Sequence, residues 1–474
     1  MAKVLWILVA TCVWSGVTQV TAKSQDTSIG NEPPRPEAVA ALRADGPDGL
    51  ARALSIYDGL RREQSRLMLA CSTSPGEQLT QVKRDVEAWS AAIDQIGTQR
   101  DCTVSRLYWY TDLDKAKAEA KRTNRPILSL RMLGKLTDEY SCANSRFFRT
   151  ALYSNKQVSD FLRANYILHW QSVRPVPKVT IDFGDGRKLE RTLTGNSAHY
   201  ALSADGTPLD VLPGLYGPLA FTQWLWDLRM LQLEYDKTPL SDRPSKLRAF
   251  HARSRDELLR KWDFDIQRLG EQRADLVQTR ITGALASARL EGRQVPADPA
   301  PKAVKAAARA VSKTLAEGPI LRFAKVGGTW MERGMDDDTW QGIANLHRDD
   351  VKLDEASVAL MRKEIPAAVA MRVAVSKARQ EDPVLRMVRT FESSITLDQV
   401  RNEYLLHRRV HELLASKDAV TIGLDSLNEW VYSELFLTPS SDPWLGLAPR
   451  DVYTALDNGG QTEPARQTAS GAGG

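Results

Sequence analysis

One cysteine stands where chemistry is easiest to imagine, Cys142 in Tyr140-Ser141-Cys142-Ala143-Asn144-Ser145-Arg146. The apolar run Ile127-Leu128-Ser129-Leu130 lies upstream, and a helical stretch with Phe148, Leu152, Val158 and Leu162 on one face lies downstream. A thiol at a helix start faces unpaired amides and the positive end of the helix dipole, which favour the nucleophilic thiolate. Arg131, Arg146 and Arg149 are close enough in sequence to add to that field. Attack on a disulfide is the reaction such a group performs. A buried cysteine on a fold that only binds is the alternative, and the residues leave both open.

Two other sets of residues invite chemistry. Glu403, His407 and His411 recur every four residues on one helical face, and neighbouring pairs at that spacing could share a metal. Glu403 and His411, however, are separated by about 12 Å along a helix axis, too far to hold one ion together. Leu406, Val410, Leu413 and Leu414 make this a core-facing helix, on which flanking histidines are commonly structural. We therefore expect no metal and no cofactor. His169 and His199 fall on neighbouring strand segments and could approach Cys142 as a base, but no third residue to orient either one can be named.

The elements that must position Cys142 run from about Tyr108 to Trp226. A helix is expected over Asp112 to Thr123 and stops before Arg125-Pro126, because the proline ring disfavours helical backbone at the residue before it. Ile127 to Leu130 follows as a buried strand, then the cysteine loop and its helix, then a strand over Asn165 to Trp170. Ala198 to Leu202 and Leu209 to Leu212, joined by Ala204-Asp205-Gly206, read as an antiparallel pair, and a helix over Leu219 to Leu233 closes the set. Between them, Pro175 to Thr194 carries a hairpin around Gly184-Asp185-Gly186 that should project near the rim by Cys142. It is either a partner-recognition flap or an extension of the sheet edge. Asp182 and Asp185 beside its turn are turn chemistry rather than a calcium site.

This order of elements resembles the thioredoxin-like fold family, in the branch where a Cys-x-x-Cys pair opens a helix and a Ser-Asp-Pro-Glu-Val-like turn follows. Ser154-Asn155-Lys156-Gln157-Val158 is similar to that turn, and counting back sets Cys142 on the first cysteine and Ser145 on the second. The family's cis-proline falls on Ser197, and the tryptophan before the nucleophile is replaced by Ser141. The resemblance covers roughly a quarter of the chain. It implies an α/β thioredoxin-like core whose site residues are Cys142, Ser145 and Ser197. A thiol without its resolving partner can form a mixed disulfide but cannot release it alone. The expected function is mixed-disulfide capture or thiol–disulfide exchange with a protein partner bearing an accessible disulfide or thiol. A non-catalytic cell-envelope scaffold on a degenerate fold is the alternative.

Composition frames the rest. The chain has 474 residues, 26% charged and 42% hydrophobic, which suits two or three globular domains. Its net charge of +5, from 64 basic and 59 acidic residues, gives no reason to expect nucleic acid. Residues 1–22 carry Lys3, an apolar stretch from Val4 to Trp14 and the small-residue exit Val20-Thr21-Ala22, which describe a secretory signal cleaved after Ala22. A lipid anchor at Cys12 fits less well, with Thr11 before it. The mature protein should then be periplasmic or extracellular, with no integral span after cleavage. In an oxidising compartment Cys71 and Cys102 are expected to pair, worth about 3–4 kcal/mol, leaving Cys142 free; two buried thiols are the other possibility.

The expected layout is a flexible lead-in over 23–36, a helical segment over 37–105, the thioredoxin-like domain over 106–235, an all-helical domain over 236–458 and a disordered tail over 459–474. Breaks in the last domain fall at Pro296 to Pro301, Gly327-Gly328, Pro366 and Asp382-Pro383, with Trp262, Trp340 and Trp430 as aromatic anchors.

Overall fold

In a computed structural model the protein is described over residues 33–70, 76–193, 195–270, 337–364, 383–416 and 422–445. The expected signal over 1–22 with Cys12, Cys71, the expected breaks at 296–301, 327–328 and 366, and the expected tail over 459–474 lie outside these residues.

Three helices, α1 (Pro36–Ala44), α2 (Gly46–Ala70) and α3 (Glu77–Gly97), pack around Trp89, Leu42, Ala53, Ile93 and Ile96. A short helix, α4 (Cys102–Ser105), follows. Asp94 holds its start by accepting from the Asp101 and Cys102 amides, at 3.1 and 2.8 Å. Cys102 is fully buried, with Sγ 3.4 Å from the Leu107 carbonyl, and Gly97 leaves the space that its sulfur occupies. Its expected disulfide partner, Cys71, is not among the described residues.

A five-stranded mixed sheet comes next. Its strands are β1 (Trp109–Tyr110), β2 (Ile127–Leu133), β3 (Ile167–Arg174), β6 (Ser197–Leu202) and β7 (Pro208–Pro213), in the order β1-β3-β2-β6-β7. β1, β3 and β2 run parallel, and β6 and β7 are antiparallel additions. Every residue of β2 is buried, as befits a central strand covered on both faces. Helix α5 (Leu113–Thr123) crosses from β1 to β2. Asp112 caps it by accepting from the Asp114 and Lys115 amides, and Asn124 ends it with left-handed backbone, two residues before Pro126.

After β2 a loop leads to α6 (Ala143–Phe147), which continues through a π-helical turn over Phe148–Leu152. α7 (Lys156–Asn165) is capped by the Asn155 side chain, which accepts from the Val158 amide. The expected hairpin is present as β4 (Lys178–Asp182) and β5 (Lys188–Thr192). It forms a separate two-stranded sheet and does not extend the edge of the larger one. Val176 packs on Gly134 and Lys178 lies over the Tyr140 ring, so its base meets the cysteine loop.

Helices α8 (Pro218–Lys237), α9 (Arg243–Arg268), α10 (Asp337–Leu346), α11 (Glu355–Glu364), α12 (Pro383–Arg401), α13 (Arg408–Ala415) and α14 (Leu424–Trp430) make a helical C-terminal region. α12 passes into α13 through a π-helical turn over Asn402–His407, and α14 ends in another over Val431–Leu435. The core of the sheet is continuous with this region: Leu128, Leu130, Tyr200 and Val211 share one buried cluster with Ile395, Val410, Leu427 and Tyr432. Among the described residues no helix is long and apolar enough to cross a membrane.

Candidate functional site

Cys142 occupies the N-cap of α6, immediately beyond the loop that leaves β2. Its sulfur lies 3.3 Å from Ser145 Oγ, three positions on, and 3.7 Å from Ser197 Oγ, which arrives from a strand 55 residues later. Ser145 Oγ itself donates to the Cys142 carbonyl at 2.8 Å. All three residues have zero exposure. The cover comes from the C-terminal region. The Tyr432 hydroxyl donates toward the Arg131 and Asn196 carbonyls, at 3.3 and 3.2 Å, bridging β2 and the approach to β6.

Two of the three arginines expected to support a thiolate, Arg131 and Arg149, are engaged elsewhere. Arg131 pairs with Asp425 at 3.1 Å, and the buried Arg149 guanidinium donates to the Leu136 and Asp138 carbonyls. Neither histidine expected near the thiol hydrogen-bonds to it. His169 Nδ1 is 2.8 Å from Ser129 Oγ, and burial, aided by Arg131, lowers its pKa to about 4. His199 Nε2 is 2.7 Å from the Tyr153 hydroxyl, with Phe148 and Phe221 against the ring, and burial lowers its pKa to about 3.

A second constellation forms on the other end of the sheet, where β7 meets α9, the α12–α13 turn and α8. Asp210, at 1% exposure on β7, accepts from Trp224 Nε1 at 2.9 Å through Oδ2. The same oxygen is 3.0 Å from His407 Nε2, whose Nδ1 faces Glu403 Oε2 at 3.2 Å. Burial opposes charge on this imidazole, but the two carboxylates outweigh it and raise its pKa to about 10. Glu403 is held down to about 2, against the effect of burial, by its hydrogen bond to His407. Asp210 is likewise held low, with His407 and His411 overcoming its desolvation.

His411 lies beside His407, with ring centres 4.2 Å apart, and its Nδ1 is 3.9 Å from Asp210 Oδ1 and 2.9 Å from His251 Nδ1. Burial and the neighbouring His407 lower its pKa to about 3. One donor atom each from Asp210, His407 and His411 falls within a 4.8 Å span. A cleft of about 480 Å³ opens beside them, lined also by Glu403, Ser254 and Lys261. Four of the six histidines, His251, His347, His407 and His411, stand in or next to it.

Spacing along one helix brought out His407 and His411 but not Asp210, which arrives from a strand about two hundred residues earlier. The signal that could have found it is an aspartate between Leu209 and Val211 in an all-buried strand. A carboxylate there demands a partner. Glu403 reaches His407 and not His411, as the 12 Å helical separation requires. Set against known proteins, the chain matches no family model, no curated protein and no solved structure.

Proposed function

We propose that this is an exported thioredoxin-like protein that works by binding, with its one candidate thiol kept closed in the resting fold. The thioredoxin-like reading is supported by the parallel helix-linked strands followed by an antiparallel hairpin and closing helix. It is supported also by Cys142 at a helix N-cap with Ser145 and Ser197 against its sulfur. Export rests on the charge and apolar pattern of residues 1–22.

The single observation that carries the closed reading is the complete burial of Cys142 under Tyr432 and the turn after α14. A thiolate must meet its target disulfide in line, and a sulfur with no exposed surface cannot do so. The cover is firmly attached: Arg174 donates to the Asp442 and Thr438 carbonyls, Asn196 to Thr438 Oγ1, and Tyr200 to Asn428 Oδ1. A second reading, capture of a partner as a mixed disulfide on Cys142, is favoured by the thiol's place at the start of α6 and requires this cover to lift.

The test is maleimide labelling of the folded full chain at neutral pH, with peptide mapping to assign the modified cysteine. Cys142 should react at least about 100-fold more slowly in the folded protein than in urea, because reagent must await local opening. Tyr432→Ala should narrow that ratio. Fast labelling of Cys142 in the native protein, lost in Cys142→Ala, would sink the closed reading and install the capture reading.

A further inference from the structure

We propose that Asp210, His407 and His411 form a binding site for one divalent transition metal of the zinc type, with a cleft-facing position left for water or an incoming ligand. Two imidazoles and a carboxylate are the donor set that such ions take, at bonds of about 2.0–2.2 Å. Two donors on one tetrahedral ion then sit about 3.3 Å apart. The observed separations, 3.0 Å from His407 Nε2 to Asp210 Oδ2 and 3.9 Å from His411 Nδ1 to Asp210 Oδ1, lie on either side of that value, one to each carboxylate oxygen, and one donor atom from each residue falls within 4.8 Å of the others.

The protein's own hydrogen bonds leave the cluster incomplete. Asp210 Oδ1 is buried and has no hydrogen-bond partner among the described residues, while Oδ2 has two. A purely structural ion pair between Asp210 and His407 would account for Oδ2 alone. His411 Nδ1, itself 2.9 Å from His251 Nδ1, lies 3.9 Å from Oδ1, beyond hydrogen-bond range, so the carboxylate keeps an acceptor open toward the histidine.

The surroundings also have the form that ligating histidines need. Such a histidine commonly donates its second ring N–H to a carboxylate, which fixes the tautomer and the ring plane. Glu403 offers that carboxylate to His407 Nδ1 at 3.2 Å. His411 has no such carboxylate: its Nδ1, the nitrogen that faces Asp210, is also 2.9 Å from His251 Nδ1, and that contact gives way when the nitrogen takes the metal. On metal binding, the Nε2 proton of His407 leaves to solvent and the ion takes its place beside Asp210, while Nδ1 keeps its proton and donates it to Glu403. The π-helical turn over Asn402–His407 sets the phase at which His407 and His411 reach β7, and such turns recur at functional sites.

The experiment uses the full chain stripped with chelator and titrated with Co²⁺, read by visible absorption, and with Zn²⁺ by calorimetry. One equivalent of either metal per chain should bind, with Co²⁺ giving the strong bands of a four-coordinate site. Asp210→Asn and His411→Gln should each weaken binding at least about 10-fold, and Glu403→Gln, which removes no ligand, by about 10–100-fold. His347→Gln, in the same cleft but outside the cluster, should bind as wild type. Circular dichroism identifies any variant that fails to fold. Absorption-edge spectroscopy of the wild-type zinc form then decides independently, by whether it finds two imidazoles and a carboxylate. No stoichiometric binding to wild type, a thiolate in the coordination shell, or equal binding by all folded variants would overturn the proposal.

Discussion

His347 is tied at both ring nitrogens, Nε2 to Asp265 Oδ2 at 2.8 Å and Nδ1 to Asp350 Oδ2 at 3.2 Å. Burial works against its charged form, yet the two hydrogen-bonded carboxylates prevail and lift its pKa from 6.5 to about 9, with Lys261 opposing them. A pKa raised on folding means that the stabilisation is complete below about pH 6.5 and fades as pH rises through 9. At about 1.4 kcal/mol for each pH unit, the loss is on the order of 2–3 kcal/mol across that window. Urea midpoints measured between pH 6 and pH 9.5 should therefore fall, and His347→Gln should flatten the fall; an unchanged slope in the variant would remove His347 from the account. Single residues were also the level at which the sequence was hardest to read. Cys142, Ser145 and Ser197 could be placed together because the resemblance to the thioredoxin-like family, laid on two turns, implies one site for them. Asp210 could not, since its partners sit on helices far along the chain and no local pattern ties them to β7.

Elements were more legible, because their signals are local. The cap at Asp112, the stop before Pro126, the cap at Asn155 and the turn at Gly206 are each written within a few residues. The π-helical turns were not, because spacing arguments assume a constant 3.6 residues per turn. One junction shows what this concealed. The segment between β7 and α8 is bound to the end of α12 and the turn that follows it. Asn402 Nδ2 donates to the Leu215 carbonyl at 3.0 Å, and the Gly217 amide donates to Gln399 Oε1 at 2.9 Å. Gly214 permits this approach with φ +86°, and a Cβ there would collide with the Asn402 amide. Gly214→Ala combines unfavourable backbone with that clash and should cost about 2–4 kcal/mol, read as a lowered urea midpoint with unchanged slope. A change below about 0.5 kcal/mol would show that the junction yields freely.

At the scale of the molecule, the sheet and much of the helical region share one interior, beside a smaller cluster around Trp340 and Ile343, so the boundary expected near residue 235 does not mark the edge of the sheet's core. The apolar periodicity that marks helices says which face is buried but not what it is buried against. That is why the contacts of α14 with β2 and β6 were invisible beforehand. This arrangement also imposes an order in time. Tyr432 and the Arg131 carbonyl, which it covers, are 301 residues apart in sequence. During synthesis the cysteine emerges long before the segment that will shelter it. Under the proposed export, its sulfur would until then be open to pairing with Cys71 or Cys102, which would make the unfinished chain the form most exposed to mispairing. Chains arrested before Tyr432 should take up maleimide at Cys142 and lose that reactivity once residues through 445 are supplied; equal reactivity in both would detach the shelter from the C-terminal helices. In an oxidising compartment the thiol's fate would then depend on how quickly the far end of the chain arrives.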